Sequence, residues 1–236
     1  MRKSAKIAKQ LIDIHDKLLE RYGPQECPLT HSNAFQLLVA VILSAQCTDK
    51  KVNKVTPELF ARYPKIADLA DADIIEVENI LRPLGLFRAK TTSIIGSARE
   101  IRKHCDSTVP NTMEGLTALS GVGRKTANVM LGNAFNKPGF PVDTHVIRLL
   151  NRIGIVDTKT PEKIELVVNT NLPDKYWTDF SHLLITHGRQ CCKAAKPDCP
   201  NCDLQCKARV DTTQSVQSTI ASKKHKNLKK KTLSPI

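Results

Sequence analysis

Leu116-Thr117-Ala118-Leu119-Ser120-Gly121-Val122-Gly123-Arg124-Lys125-Thr126-Ala127 is the stretch that decides the fold. Apolar residues at helical spacing flank two glycines that bracket a single valine, which is the pattern of two helices joined by a tight hairpin. Glycine permits the positive backbone angles of such a turn and lets an anion approach the main chain closely. Helix-start amides after Gly121, Val122 and Gly123 would face that anion with a favourable dipole, and Arg124 and Lys125 follow at once. The plainer reading is an interhelical turn with a glycine C-cap, and a bare Gly-x-Gly favours it. The flanking apolar pattern and the Arg-Lys pair favour a phosphate-binding turn, which positions a backbone without reading sequence.

Outward from the hairpin, the hydrophobic period is helical almost everywhere. Ile7, Leu11, Ile14 and Leu18 form one stripe on a helix ending near Gly23-Pro24. Ala34 to Ala45 is apolar nearly all round, which predicts a central buried helix, and Thr48 or Asp49 can cap the next. Asp71 or Asp73 can cap a short helix through Leu81, stopped by Pro83 and Gly85, and Ala89 to His104 forms a longer amphipathic one. Helices are further predicted over Met113 to Leu119, Arg124 to Phe135, Asp143 to Arg152, Pro161 to Asn169 and Pro173 to His187. No stretch alternates with period two, so the expected class is all-α. The first helix has no local partner, so both termini are expected to share one domain, residues 1–26 with 138–210. Residues 27–137 would form the other, with a cleft between them. Residues 211–236, rich in Ser, Thr, Gln and Lys, are expected to be a disordered basic tail.

Charge points to the partner. The chain has 236 residues with 36 Lys and Arg against 23 Asp and Glu, a net charge of +13. Residues 211–236 hold six Lys and one Asp, a net +5, which leaves +8 on residues 1–210. The folded part is itself basic, which suits a polyanion such as nucleic acid. The longest apolar run, Leu37 to Leu43, is far short of the roughly 18 residues of a spanning helix, so no membrane partner is expected. Met1-Arg2-Lys3-Ser4-Ala5-Lys6 leads into Lys9, Gln10, Asp13 and Asp16, not into the apolar core of a signal peptide. A cytoplasmic or nuclear location follows as an expectation. In such a reducing setting the tight group Cys192, Cys199, Cys202 and Cys206 is expected to hold metal, not disulfides. Spacing leaves zinc and an iron-sulfur cluster equally open. Lys125 is either a phosphate contact or a nucleophile, and Asp143, eighteen residues on, is either a helix cap or its partner across a cleft.

Several segments in order carry a family resemblance: Leu43-Ser44-Ala45-Gln46, Leu84-Gly85-Leu86, Leu119 to Asn128, Val142-Asp143-Thr144-His145, His187-Gly188-Arg189 and the terminal cysteines. Over roughly residues 5 to 207 the chain resembles the endonuclease III family. The resemblance implies a two-lobed helix-hairpin-helix DNA glycosylase fold with a C-terminal iron-sulfur loop, acting as a monomer on damaged double-stranded DNA. It implies a glycosylase and apurinic/apyrimidinic lyase for oxidised pyrimidines, with Lys125 as nucleophile and Asp143 as catalytic carboxylate. It moves the metal to a [4Fe-4S] cluster on Cys192, Cys199, Cys202 and Cys206. Gln46 and Leu86 match positions that fill the gap left by an extruded base, where an ordinary helix-end glutamine and a core leucine are the plain alternatives. Lys193 and Lys196, between the first two cysteines, would meet phosphate.

Three positions depart from the family pattern: Ser120 stands where proline is usual, Cys47 where a small residue is common, and only three residues separate Cys202 from Cys206. An adenine-mismatch glycosylase is disfavoured by the presence of Lys125 and the lack of an added C-terminal domain. A non-enzymatic helix-hairpin-helix binding protein with structural zinc is the other alternative.

Overall fold

The computed structural model describes residues 2–206, and every regular element among them is helical. The 211–236 tail expectation lies outside the described residues. The helices are α1 (Arg2–Tyr22), α2 (Ala34–Leu43), α3 (Asp49–Arg62), α4 (Ile66–Ala70), α5 (Ile74–Leu81) and α6 (Phe87–His104). They continue with α7 (Met113–Thr117), α8 (Arg124–Phe135), α9 (Thr144–Ile153), α10 (Pro161–Asn171), a 3-10 turn (Asp174–Tyr176) and α11 (Trp177–Gln190). None is long and apolar enough to cross a membrane.

Two apolar cores hold these helices. The first gathers residues from Leu29 to Leu131 around α2, whose positions from Phe35 to Leu43 are nearly all buried, as a helix apolar all round must be. The second joins Leu11, Ile14 and Leu18 of α1 to residues between Phe140 and Leu204. Buried His15 bonds Asp179 through Nε2 at 2.9 Å, fastening α1 to α11, and the Tyr22 hydroxyl meets His187 Nδ1 at 2.9 Å. The lone amphipathic stripe at the N-terminus thus finds its partner almost the whole chain away.

Element boundaries moved where side chains intervene. Helix α2 stops at Leu43, not Ala45, because the Ser44 hydroxyl donates to the Val41 carbonyl at 2.8 Å and Gln46 turns left-handed at φ 54°. Helix α6 starts at Phe87, two residues before the expected Ala89, with Leu86 as a left-handed N-cap at φ 58°. Of the alternative caps, Thr48 accepts from Lys51 N and Asp73 from Glu76 N. The short helix α4, where the Asp68 carboxylate accepts from the Lys65 backbone N–H at 2.9 Å, had no clear periodic signal.

Candidate active site and cysteine loop

The hairpin is built by three neighbours of the glycines. Gly121 has φ 76°, and a Cβ there would lie 2.6 Å from the Ser93 Cβ, so conformation and space both require glycine. Ser120, in place of the usual proline, is held by one carboxylate: Glu100 accepts from its N–H at 2.6 Å and from its hydroxyl at 2.7 Å. Ser97 donates to the Ser120 carbonyl at 2.6 Å. Hydrogen bonds here fix the turn that a proline ring would otherwise stiffen. Val122 is buried and plugs the hairpin into the first core.

Gly123 differs in kind. Its φ is −94°, a Cβ would meet nothing within 4 Å, and it caps α8 without any side-chain hydrogen bond. No side chain caps the first amides of α8, and exposed Lys125 stands in that first turn.

Arg124, expected beside a phosphate, is used differently. Its guanidinium makes a bidentate pair with Glu165 of α10, both bonds 2.8 Å, and Glu165 is 5% exposed. This side chain fastens the start of α8, on the first core, to a helix of the second. Asp143 is the N-cap of α9, accepting from His145 N at 2.8 Å and Val146 N at 2.9 Å. Both bonds fall on Oδ1, so the cap leaves Oδ2 aside, and the residue is only partly buried. Helices α8 and α9, which begin at Lys125 and Asp143's neighbours, both pack on α11.

Gln46 and Leu86 share an unusual state. Each is an exposed non-glycine residue in the left-handed region, and Leu86 is 60% exposed. A leucine with φ 58° that also faces water carries two costs at once, which is how functional strain presents itself. The core-residue alternative for Leu86 is thereby removed. Arg88 lies over the Phe87 ring at 5.5 Å beside it.

The cysteine loop is strapped by arginines. Arg148 donates to the carbonyls of Gly188 and Cys192, Arg152 to those of Lys193 and Ala194, and Arg21 to that of Asn201. Arg152 Nη1 also reaches the Cys192 Sγ at 3.2 Å, a donor suited to a thiolate. Lys193 and Lys196 are exposed. The tightest grouping of metal-type atoms among the described residues is not the expected quartet. It is His187, Cys191 and Cys202, all within 4.8 Å, with Cys202 Sγ 3.5 Å from His187 Nε2. A four-iron cube holds its thiolates further apart than one ion does, so so tight a group suits a single ion more than four cluster corners. Cys191 is buried because it ends α11 facing α1, and burial pushes its thiol up to about 12. Cys192, one residue on, faces Arg152 instead. Burial also drives His187 down to about 4, so its ring is neutral at physiological pH.

A cavity of about 740 Å³ opens elsewhere. Its lining includes Gln25, His31, Asn133, Lys137, Thr178 and His182, near the C-terminal end of α8 and about 12 Å along that helix from Lys125. None of the expected site residues lines it.

The side chains unseen from the sequence were Glu100, Glu165, the three arginines and Lys90. Arginines at 148 and 152, one helical turn apart on α9, were a readable hint. Lys90 had one as well: it stands four residues before Ile94 on the buried stripe of α6, where an apolar side chain is the rule.

An all-helical chain with a glycine hairpin opening a lysine-bearing helix belongs with the helix-hairpin-helix DNA repair proteins, and the family model for the HhH-GPD superfamily base excision DNA repair protein matches residues 39–173. Endonuclease III of Synechocystis is 44% identical over 205 residues, 86% of this chain and 94% of that protein. The Escherichia coli enzyme is 37% identical over 198 residues, 84% and 93% of the two chains. The structure of a trapped endonuclease III–DNA covalent intermediate superimposes with a TM-score of 0.83 at 36% identity, covering 87% of this chain and 98% of that one. The chain belongs to the endonuclease III family.

Proposed function

We propose that this chain is a base-excision DNA glycosylase and apurinic/apyrimidinic lyase that removes oxidised pyrimidines from duplex DNA as a monomer, using Lys125 as nucleophile. The observation that carries the proposal is the uncapped start of α8, where open amides at Gly123 and the exposed Lys125 share one helical turn. A phosphate bound by those amides would set the sugar beside the amine. The two cores act as two lobes, residues 27–137 and the paired termini, with the duplex between them.

The chemistry follows from the amine. Neutral Nζ bonds to C1′ while the bond from C1′ to the base breaks, and that electron pair leaves with the base. Opening of the sugar ring gives a protonated imine, which makes the C2′ proton acidic. Loss of that proton forms a double bond and expels the 3′ phosphate. Water could not form the imine. Asp143, through the oxygen outside its cap, takes up a proton and offsets the positive charge that develops on the sugar.

Extrusion of the base leaves a hole in the stack. Leu86 enters it as an apolar wedge, while Gln46 offers an amide to the orphaned base. Lys193 and Lys196 hold the backbone from the cysteine loop.

Cys192, Cys199, Cys202 and Cys206 hold a [4Fe-4S] cluster, a choice supported by four thiols on one short loop among arginines that suit an anionic centre. When bound, the cluster fixes the fold of that loop.

Borohydride trapping on a duplex with a single abasic site tests the nucleophile. Lys125→Gln should give no covalent adduct, a loss of at least about a thousandfold, while duplex binding persists. Adduct at normal yield from that variant removes Lys125 from the reaction.

A further inference from the structure

We propose that Lys90 is a positioning residue for the apolar wedge, its buried ammonium holding the strained turn that presents Leu86 to the duplex. This rests on the reading of Leu86 as the residue that enters the stack. Lys90 is 4% exposed, and its Nζ donates to the Gly85 carbonyl at 2.7 Å. Its own backbone N–H donates to the Leu86 carbonyl at 3.1 Å. The ammonium thus ties down the carbonyl that precedes the left-handed Leu86, while the backbone bond closes the first turn of α6 behind it.

Packing alone does not account for a lysine here. Burial disfavours its charge and pushes it below the ordinary lysine value. A methionine would fill the same stripe of α6, between Leu86 and Ile94, without that cost. Nor is the turn shaped for stability alone, since glycine or asparagine would relax the positive φ and a polar side chain would suit the exposure. A costly anchor placed under a costly leucine indicates that the orientation of the leucine is what the arrangement secures.

The test uses the full-length protein and one abasic oligonucleotide, assayed single-stranded and in duplex, because only the duplex requires a wedge. Lys90→Met should lower the rate of strand cleavage on the duplex by on the order of tenfold, the scale of a lost charged hydrogen bond, and leave the single-strand rate unchanged. Leu86→Ala should show the same duplex-specific loss, and Lys90→Met added to it should cost little more, as expected for two residues acting through one another. Lys90→Arg, which keeps a donor at the position, is judged by the same ratio should the methionine variant fail to fold. An equal loss on both substrates, an unaltered duplex rate, or full additivity with Leu86→Ala would each overturn the assignment. Absence of a Lys125 adduct in the wild-type protein would instead sink the underlying reaction, so the two failures are separable.

Discussion

Gly121 and Gly123 lie two positions apart and serve different ends. At Gly121 both the backbone angle and the 2.6 Å approach of Ser93 exclude a side chain. At Gly123 neither does. Gly121→Ala should therefore destabilise the fold by about 1–3 kcal/mol, seen as a lower melting temperature. Gly123→Ala should cost less than about 1 kcal/mol of stability, the weakness of alanine as a helix cap, and should instead reduce duplex affinity by crowding the phosphate. Equal melting temperatures for the two variants would show that the distinction is unfounded. The same scale shows what was legible from sequence. The glycine hairpin and the place of Lys125 in the first turn of α8 were legible by type and spacing. The use of Arg124 was not, because its partner Glu165 is 41 residues away and no local pattern marks an ion pair across that separation.

Helix types and order were readable because apolar stripes repeat at helical spacing, and because Asp73, Thr112 and Asp143 are good caps. The ends of α2 and the start of α6 were not, since left-handed Gln46 and Leu86 carry none of the usual turn chemistry. Neither is glycine or asparagine, so no local rule marks the positive φ that each adopts. Helix α11 carries a different signature. Its His182 is partly buried against α8, with Nε2 2.8 Å from the Asn133 Oδ1, and desolvation holds the ring below the ordinary imidazole value of 6.5. The unfolded chain takes up this proton first as the solution is acidified. The stability from the neutral ring is fully present above pH 6.5 and is lost as pH falls from there toward the depressed folded value. A single such histidine contributes a slope of at most about 1.4 kcal/mol per pH unit. His182→Gln should make the fall in melting temperature between pH 7.5 and 5.5 measurably shallower. An identical slope in wild type and variant would exclude His182 as a source of acid sensitivity.

The whole molecule closes on itself through the cysteine loop, which touches α1 by Arg21 and α9 by Arg148 and Arg152. Metal at this loop should therefore stabilise the core made from both termini. Elemental analysis should find about four iron atoms per chain with broad visible absorbance, and stripping them should lower the melting temperature. A colourless protein with one zinc and no iron would instead assign the metal to the His187, Cys191 and Cys202 group. The ion pair between Arg124 and Glu165 also acts at this scale. It moors the residue next to Lys125 onto the second core, so on the proposed reaction a duplex that pried the two cores apart would draw the amine away from the sugar. On that reading the DNA is expected to bend to suit the protein, and damage that softens the helix should be gripped more readily than an intact, stiff one.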